Sequence, residues 1–307
     1  MDSIKYWIAF ERVQGVGPAH LKEVYSIISS VGVSLSDIFE LSEDEIRNEF
    51  NFNQKTLTAI DAAKGILHNI SEEYQKIIDE GITVTPFFSK NYPARLHETL
   101  GNSIPPILYS YGNIDLLKKR GASILGDNNI SGKGELIAYA AAKELAARGI
   151  AVISGFAEGA DMTAHRSALE WGGDTIAFLP YGIFKIKIPD QIKHVFDEVR
   201  FLAVSTFQPE AAAGKYNAFA RNKILCALSY AVYIVESPEE GGIFEAAKSA
   251  HNLKIPLYTT EYSEYPKNAG GNKKIVADLG GFPVRGKRSD NLTLPNLDRL
   301  IADVKFK

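Results

Sequence analysis

The sequence has a single cysteine, Cys226, among its 307 residues. One thiol excludes an internal disulfide and a cysteine-based metal cluster. The 6 histidines are scattered, with no pair one helical turn apart, so the sequence predicts no metal site. No apolar run approaches the roughly 20 residues that span a bilayer, and no basic flank precedes an apolar run at the N-terminus. We therefore expect a cytoplasmic protein that makes no contact with membranes.

A large excess of charge is also absent, because the formal net charge is only −3. A protein that coats nucleic acid through bulk charge would be strongly basic, so any site for a polyanion must be a local patch. The chain is 45% hydrophobic. Its length and composition allow one large core and a smaller satellite domain.

The glycine pattern Gly-x-Gly-x-x-Gly, typical of dinucleotide-binding folds, is missing as well. The candidate loop has Gly126 followed by Asp127, whose negative charge would repel a pyrophosphate. This argues against a nicotinamide-dependent dehydrogenase, and we expect no cofactor.

What the sequence does contain, from residue 119 to 286, is a regular alternation of apolar strands and helices. Near-continuous apolar strands predict a mostly parallel sheet covered on both faces, in an α/β, extended Rossmann-like, doubly wound fold. The predicted strands are 122–125, 151–153, 175–179, 202–204, 231–235 and 255–258. The predicted helices are 134–148, 162–171, 190–199, 221–229 and 242–251.

Three shorter regions flank this predicted Rossmann-like domain. Residues 1–70 predict a small helical domain, in which the turn Gly15-Val16-Gly17 resembles a helix-hairpin-helix. Such a turn serves packing, a protein partner or weak contact with DNA phosphates, and the balanced charges around it leave these alternatives open. Residues 71–118 predict a bridging segment that joins the sheet, and residues 287–307 predict a short C-terminal tail.

Ligands of open parallel sheets bind beyond the carboxyl ends of the strands. Glycines after the first two predicted strands expose backbone amides to an anion, and the N-terminus of a helix adds a favourable dipole. Arg221 and Lys223 are predicted at the start of a helix, where cations oppose the dipole, which indicates a bound anion. Asp161 is predicted to cap its helix, and His165 is either a packed histidine or a ligand contact.

The order of these segments resembles the DNA-processing protein A (DprA/Smf) family. The resemblance rests on Ser154-Gly-Phe-Ala-x-Gly-x-Asp161-x-x-Ala164-His165, on Gly172-Gly173-x-Thr175 and on Arg221-Asn222-Lys223. It extends to Tyr92-Pro93, to Pro105-Pro106-x-Leu108-Tyr109-x-x-Gly112-Asn113 and to Gly271-Asn272. It implies a homodimeric protein that binds single-stranded DNA and helps load the RecA recombinase during uptake of transforming DNA, with no enzymatic activity.

The resemblance also implies a groove that binds DNA phosphates through backbone amides and cations. Phe184 or Phe219 would stack on a base. The residues that border the groove are Gly126, Asn128, Ser131, Ser154, Gly155, Lys185, Lys187, Arg221, Asn222 and Lys223.

The chain departs from the family pattern at acidic positions. The family's first loop reads Gly-Ser-Arg, whereas here Asp127 and Asn128 follow the glycine. Glu158 lies in the second loop, and Glu239-Glu240-Gly241-Gly242 replaces a Ser-Gly-Ser turn. Negative charges near a phosphate weaken its binding.

Two alternatives on the same fold therefore remain. One is a sensor that binds a small nucleotide. The other is a nucleoside-phosphate hydrolase of the LOG type, in which Glu236 or Glu245 stabilises an oxocarbenium ion.

Overall fold

The computed structural model describes residues 3–289 and 292–306. The chain divides into two compact units. The first comprises residues up to 92 together with 101–108, and the second comprises residues 93–100 and those from 109 onward. Within the described ranges, no helix combines the length and the apolar character needed to cross a membrane.

The first unit is helical around a small apolar core. Its helices are α1 Ile4–Glu11, α2 Pro18–Ser30, α3 Leu35–Glu40, α4 Glu43–Glu49 and α5 Gln54–Asp79, followed by strand β1 Thr83–Pro86. Gly15 turns the chain between α1 and α2 with φ +87°, a conformation that favours glycine. Pro18 then begins α2, where a missing N–H costs nothing.

The second unit holds eight strands of a sheet with helices packed on it. Its strands are β2 Ile107–Gly112, β3 Gly121–Leu125, β4 Ala151–Ser154, β5 Thr175–Phe178, β6 Phe201–Ser205, β7 Ala231–Ile234, β8 Leu257–Thr260 and β9 Phe282–Val284. The first residues of β2 belong to the first unit, where β1 lies beside them. The helices are α6 Ala94–Leu100, α7 Gly132–Ala147, α8 Ala160–Glu170, α9 Asp190–Lys193, α10 Lys215–Leu228, α11 Gly242–Asn252 and α12 Gly270–Leu279.

The strand order in this unit is β2-β6-β5-β4-β3-β7-β8-β9. Strand β2 is antiparallel to β6, and every other neighbouring pair is parallel. This arrangement confirms the predicted mostly parallel α/β fold with an N-terminal helical region. The order reverses at β3, which lies between β4 and β7, and such a reversal opens a crevice at the carboxyl ends of the strands.

The chain ends in hairpin β10 Gly286–Ser289 and β11 Leu292–Pro295, followed by helix α13 Asp298–Phe306. Leu297, Leu300, Ile301 and Val304 join the same buried cluster as Ala122, Ala138 and Tyr233. The C-terminal helix therefore covers one face of the sheet around β3 and β7.

Two predicted helix boundaries are wrong. Helix α9 ends at Lys193 rather than at 199. Within the remainder of the predicted helix, Asp197 accepts the backbone N–H of Val199 at 2.9 Å, a local turn that does not continue a helix. Helix α10 begins at Lys215 rather than at 221, after the extended residue Gly214. Arg221 thus lies inside the helix, and the argument from its position at a helix start does not apply.

Asn272 fixes the loop after β7, which contains Glu236. Its side chain is fully buried; the amide group donates to the carbonyls of Val235 and Thr260, and its oxygen accepts from the N–H of Ser237. Three backbone groups from two strand ends thus share one side chain.

We expect Asn272→Ala to lower the free energy of unfolding by about 3 kcal/mol, because it leaves buried backbone groups without partners. Urea denaturation followed by circular dichroism measures this change. The control is Asp278→Ala, at an exposed position of the same helix, which should leave stability nearly unchanged. Equal midpoints for the two variants would contradict the assigned role of Asn272.

Candidate nucleic-acid interface

The crevice between the ends of β3 and β7 contains the carboxylate of Glu236. This side chain is fully buried, and it accepts hydrogen bonds from the backbone N–H and the hydroxyl of Ser131 and from the hydroxyl of Tyr262. Ser131 is also the N-cap of α7, since its Oγ accepts from the N–H of Gly134 at 3.0 Å. A negative charge at the start of a helix is stabilised by the helix dipole. Glu236 therefore occupies the position in which this fold usually holds an anionic ligand.

This arrangement corrects the prediction for Ser131, whose hydroxyl is already engaged by Glu236 and Gly134. Gly126 is also explained by packing, because a Cβ there would lie 2.7 Å from Cβ of Ala160. The Ser131 hydroxyl thus has a role within the protein, whereas the predicted phosphate contact of Gly126 stays a prediction.

Asn128 and Asn129 are the exposed residues of the first loop. Its neighbour Asp127 accepts the N–H of Asn129 at 2.8 Å, which fixes a tight turn. Asn128 lines a cleft of about 350 Å³ together with Glu135, Glu158, Met162, Arg166 and Gln191. The cleft carries both charges, and Arg166 lies 3.4 Å from Glu135.

A second group of predicted residues lies close together around the loop that follows β4. The Ser154 hydroxyl is buried and donates to the carbonyl of Ile124 at 2.6 Å, so it holds β4 to β3 rather than facing a ligand. Gly155 contacts the guanidinium of Arg221, and a Cβ at residue 155 would overlap Nη1 of Arg221 and Oδ2 of Asp161. Only glycine leaves room for this pair of charges.

Arg221 and Asp161 form a buried ion pair with weak geometry. Arg221 is 6% exposed, and its Nη1 lies 3.9 Å from Oδ2 of Asp161. Within the described residues, Nε and Nη1 of Arg221 and Oδ1 of Asp161 have no hydrogen-bond partner. Unsatisfied buried polar groups of this kind are costly, and they indicate a missing ligand or solvent partner.

Burial raises the pKa of Asp161 to about 6, and the charge of Arg221 opposes the rise. Helix α8 has no side-chain cap, because its N-cap is Gly159, so the prediction that Asp161 caps this helix is wrong. Asp161 instead balances the charge of Arg221.

His165 contacts the backbone of the loop that follows β4. It is fully buried, with Nε2 against the carbonyl of Gly155 and Nδ1 2.7 Å from Oγ1 of Thr175. Burial lowers the pKa of His165 to about 4, so the ring is neutral near pH 7. The neutral ring donates from Nε2 to Gly155, and the Thr175 hydroxyl lies within hydrogen-bond distance of both Nδ1 and the carbonyl of Val152. Between the two alternatives for His165, the structure supports the packed histidine.

The other two residues of the Arg221-Asn222-Lys223 motif differ in their exposure to solvent. Asn222 is buried and donates to the carbonyl of Gly242 at 3.1 Å, which joins α10 to the start of α11. Lys223 is exposed. Asn222 is thus engaged within the protein, whereas Lys223 is accessible to a ligand.

Lys185 and Lys187 are exposed in the loop that follows β5. The backbone of this loop is bound to the loop that follows β6: Gly182 donates to Ala211 at 2.9 Å and Phe184 donates to Pro209 at 3.1 Å. A side chain at Gly182 would overlap the carbonyls of Gln208 and Pro209. We call these two bound segments, residues 182–187 and 208–211, the double loop.

The double loop leads into residues that the sequence analysis did not assign to the site. Lys215 begins α10, and Tyr216 beside it is 87% exposed. Tyr181 precedes the double loop and lies within electrostatic range of Arg221. An exposed aromatic residue beside a lysine was a signal in the sequence that could have identified this position.

Among the acidic residues that depart from the family pattern, Glu239 has a cationic partner, as does Glu245 nearby. Glu239 pairs with Lys274 at 2.7 Å, which lowers the pKa of Glu239, and Glu245 pairs with Lys248 at 2.7 Å. Glu158 is exposed at the mixed-charge cleft. Within the described part of the chain, no group of His, Cys, Asp and Glu side chains is arranged to hold a metal ion.

We expect Glu236→Gln to lower the free energy of unfolding by about 2 kcal/mol, because it removes the charge that faces the start of α7. Tyr262→Phe removes one of the hydrogen bonds and should cost about 1 kcal/mol. Chemical denaturation of both variants measures these values. Wild-type stability of Glu236→Gln would show that the carboxylate does not hold the crevice together.

Comparisons with known proteins agree with this fold. Residues 83–282 match the family model of the DNA recombination-mediator protein A. Protein Smf from Synechocystis sp. is 27% identical over 97% of this chain and 77% of its own length. The DNA processing protein DprA from Streptococcus pneumoniae is 30% identical over 68% of this chain and 68% of its own length.

Two solved structures share the architecture. The X-ray structure of DNA processing protein A from Streptococcus pneumoniae has a TM-score of 0.73 at 22% identity, covering 91% of this chain and 94% of that chain. The Helicobacter pylori protein, described for its single-stranded DNA binding mode, has a TM-score of 0.56 at 23% identity, covering 66% of this chain and 90% of that chain. Because the family model matches well over half of its residues, the chain belongs to the DNA recombination-mediator protein A family.

Proposed function

We propose that this protein binds single-stranded DNA at the carboxyl edge of its sheet and mediates recombination by protecting the strand and helping to load the RecA recombinase. The observation that carries the proposal is the Arg221 guanidinium, buried at this edge with two nitrogens that lack partners among the described residues. A phosphate supplies the acceptors that these nitrogens need. Membership of the family and the DNA-binding relative from Helicobacter pylori support the same ligand.

Exposed lysines extend the binding surface beyond Arg221. Lys185, Lys187, Lys215 and Lys223 form no ion pair with another residue of the described chain. Lysines without acidic partners hold a phosphate backbone without reading bases. The positive charge comes from the loop after β5 and from α10, since the first loop carries Asp127 and Asn128 instead of a cation.

An aromatic surface lies next to these lysines. Tyr216 is almost fully exposed at the start of α10, and Phe184 lies half-buried in the double loop. Bases of a single strand stack on such rings with little sequence preference. The combination favours single-stranded DNA over a duplex, whose bases are already stacked.

In the proposed function, the protein acts by binding DNA and not by catalysing a reaction. Glu236 is fully buried and accepts three hydrogen bonds, and Glu245 pairs with Lys248, so both carboxylates of the hydrolase alternative have structural roles. Glu236 also lies in the crevice that would take a small nucleotide, and its negative charge disfavours a phosphate there. The resemblance to the family further supports a homodimer that acts in the cytoplasm, where it meets DNA and the recombinase.

We expect the protein to bind fluorescent oligo-dT and the double variant Lys185→Glu/Lys187→Glu to bind it at least tenfold more weakly. Removing two phosphate contacts should reduce the slope of log K against log salt by about 1.4. Fluorescence anisotropy over a salt series measures both quantities. The control is Lys118→Glu, at the opposite edge of the sheet, which should keep wild-type binding. Absence of oligo-dT binding by the folded wild type would overturn the proposed function.

Loading of the recombinase has its own test. DNA-dependent ATP hydrolysis by RecA, on single strands already coated with a single-strand-binding protein, should start sooner when the wild type is added. The Lys185→Glu/Lys187→Glu variant should lose this effect together with DNA binding. An unchanged lag with a wild type that binds DNA would remove recombinase loading from the proposal and leave DNA binding in place.

A further inference from the structure

We infer that Asp161 is a displaceable counter-ion of Arg221: a DNA phosphate takes its place at the guanidinium, and Asp161 then takes up a proton. This inference rests on the proposed function, because it concerns the same Arg221. It adds a regulatory property, namely that DNA affinity depends on pH through one buried carboxyl group.

The geometry of the pair supports exchange. At 3.9 Å, the contact between Nη1 of Arg221 and Oδ2 of Asp161 is longer than a hydrogen bond. Oδ1 of Asp161 and two nitrogens of Arg221 have no hydrogen-bond partner among the described residues. A buried ion pair repays its desolvation only with close geometry and satisfied hydrogen bonds. The pair lacks close geometry, and its unsatisfied groups lie mainly on the Arg221 side, since the carboxylate of Asp161 also accepts from the Ser154 hydroxyl and the Ala157 N–H. A phosphate that accepts from Arg221 therefore replaces the Asp161 contact at low cost.

Once a phosphate engages Arg221, the described groups around Asp161 supply no other positive charge. Asp161 therefore takes up a proton. Arg221 and Cys226 face the pair from α10, His165 from α8 and Tyr181 from the loop after β5. Arg221 supplies the positive charge in this group near pH 7, because His165 is neutral and burial raises the pKa of the Cys226 thiol to about 12. An isolated carboxylate in such a buried place becomes neutral instead of staying charged.

The sign of the pH effect follows from the two states. In the free protein Asp161 has a pKa of about 6, and in the complex its pKa is higher, because the phosphate both engages Arg221 and adds negative charge. The complex therefore holds more protons than the free protein above pH 6. Affinity is highest at and below about pH 6 and falls as the pH rises, by up to about tenfold per pH unit.

The test is the affinity for oligo-dT from pH 6 to pH 8.5 at constant ionic strength. We expect the wild type to lose affinity with rising pH, and Asp161→Asn to bind with nearly the same affinity throughout and more tightly than the wild type at pH 8. The control is Asp174→Asn, which removes a largely buried aspartate paired with Lys119 and Arg200. This control should keep the wild-type slope.

The outcomes separate this inference from the proposed function. A wild type that binds equally well at pH 6 and pH 8, or an Asp161→Asn protein that keeps the wild-type slope, overturns the proton linkage while DNA binding stands. Absence of binding at every pH overturns the proposed function itself. Where Asp161→Asn does not fold, titration calorimetry of the wild type with oligo-dT decides. The binding enthalpy at pH 7.5 in two buffers of different ionisation enthalpy gives the number of protons taken up. Uptake approaching one proton supports the inference, and no uptake overturns it.

Discussion

The carboxylate of Glu236 is the constraint around which the carboxyl edge of the sheet is organised. It joins the end of β7 to the start of α7 and to Tyr262 after β8, and its own backbone carbonyl accepts from the N–H of Asp127 at 3.0 Å. A fully buried negative charge is tolerated only where donors surround it, and here a helix terminus and two hydroxyls do so. With Glu236 buried in the central crevice, the residues proposed to bind DNA lie in the loops after β4 and β5 and in α10.

The fold could be predicted from the sequence to a large extent, because strands buried on both faces are continuous apolar runs. The predicted strand 122–125 differs from β3 by one residue, and 151–153 differs from β4 by one residue. Helix ends were harder to predict. Asp197 binds a backbone N–H inside a stretch that was predicted to be helical, and Gly214 precedes another helix without any capping side chain. Both effects depend on local backbone geometry that apolar periodicity does not reveal.

The candidate site was predictable in position but not in detail. The sequence predicted that the loops after the parallel strands lie at one edge of the sheet, and the strand order agrees, because strand ends of a parallel sheet lie together. It did not show which polar side chains the protein uses for itself. Ser131 meets Glu236, which lies 105 residues away in sequence, and Ser154 meets Ile124, which lies 30 residues away. Such partners come from the strand order, which no single stretch of sequence specifies.

The double loop has a consequence for how this surface changes in evolution. Its two segments are joined through main-chain groups, Gly182 to Ala211 and Phe184 to Pro209. Substitutions at Lys185 and Lys187 therefore alter the charge of the surface while the path of the backbone stays the same. Single substitutions can thus change the charge that this edge presents, without any need to rebuild the loops that carry it.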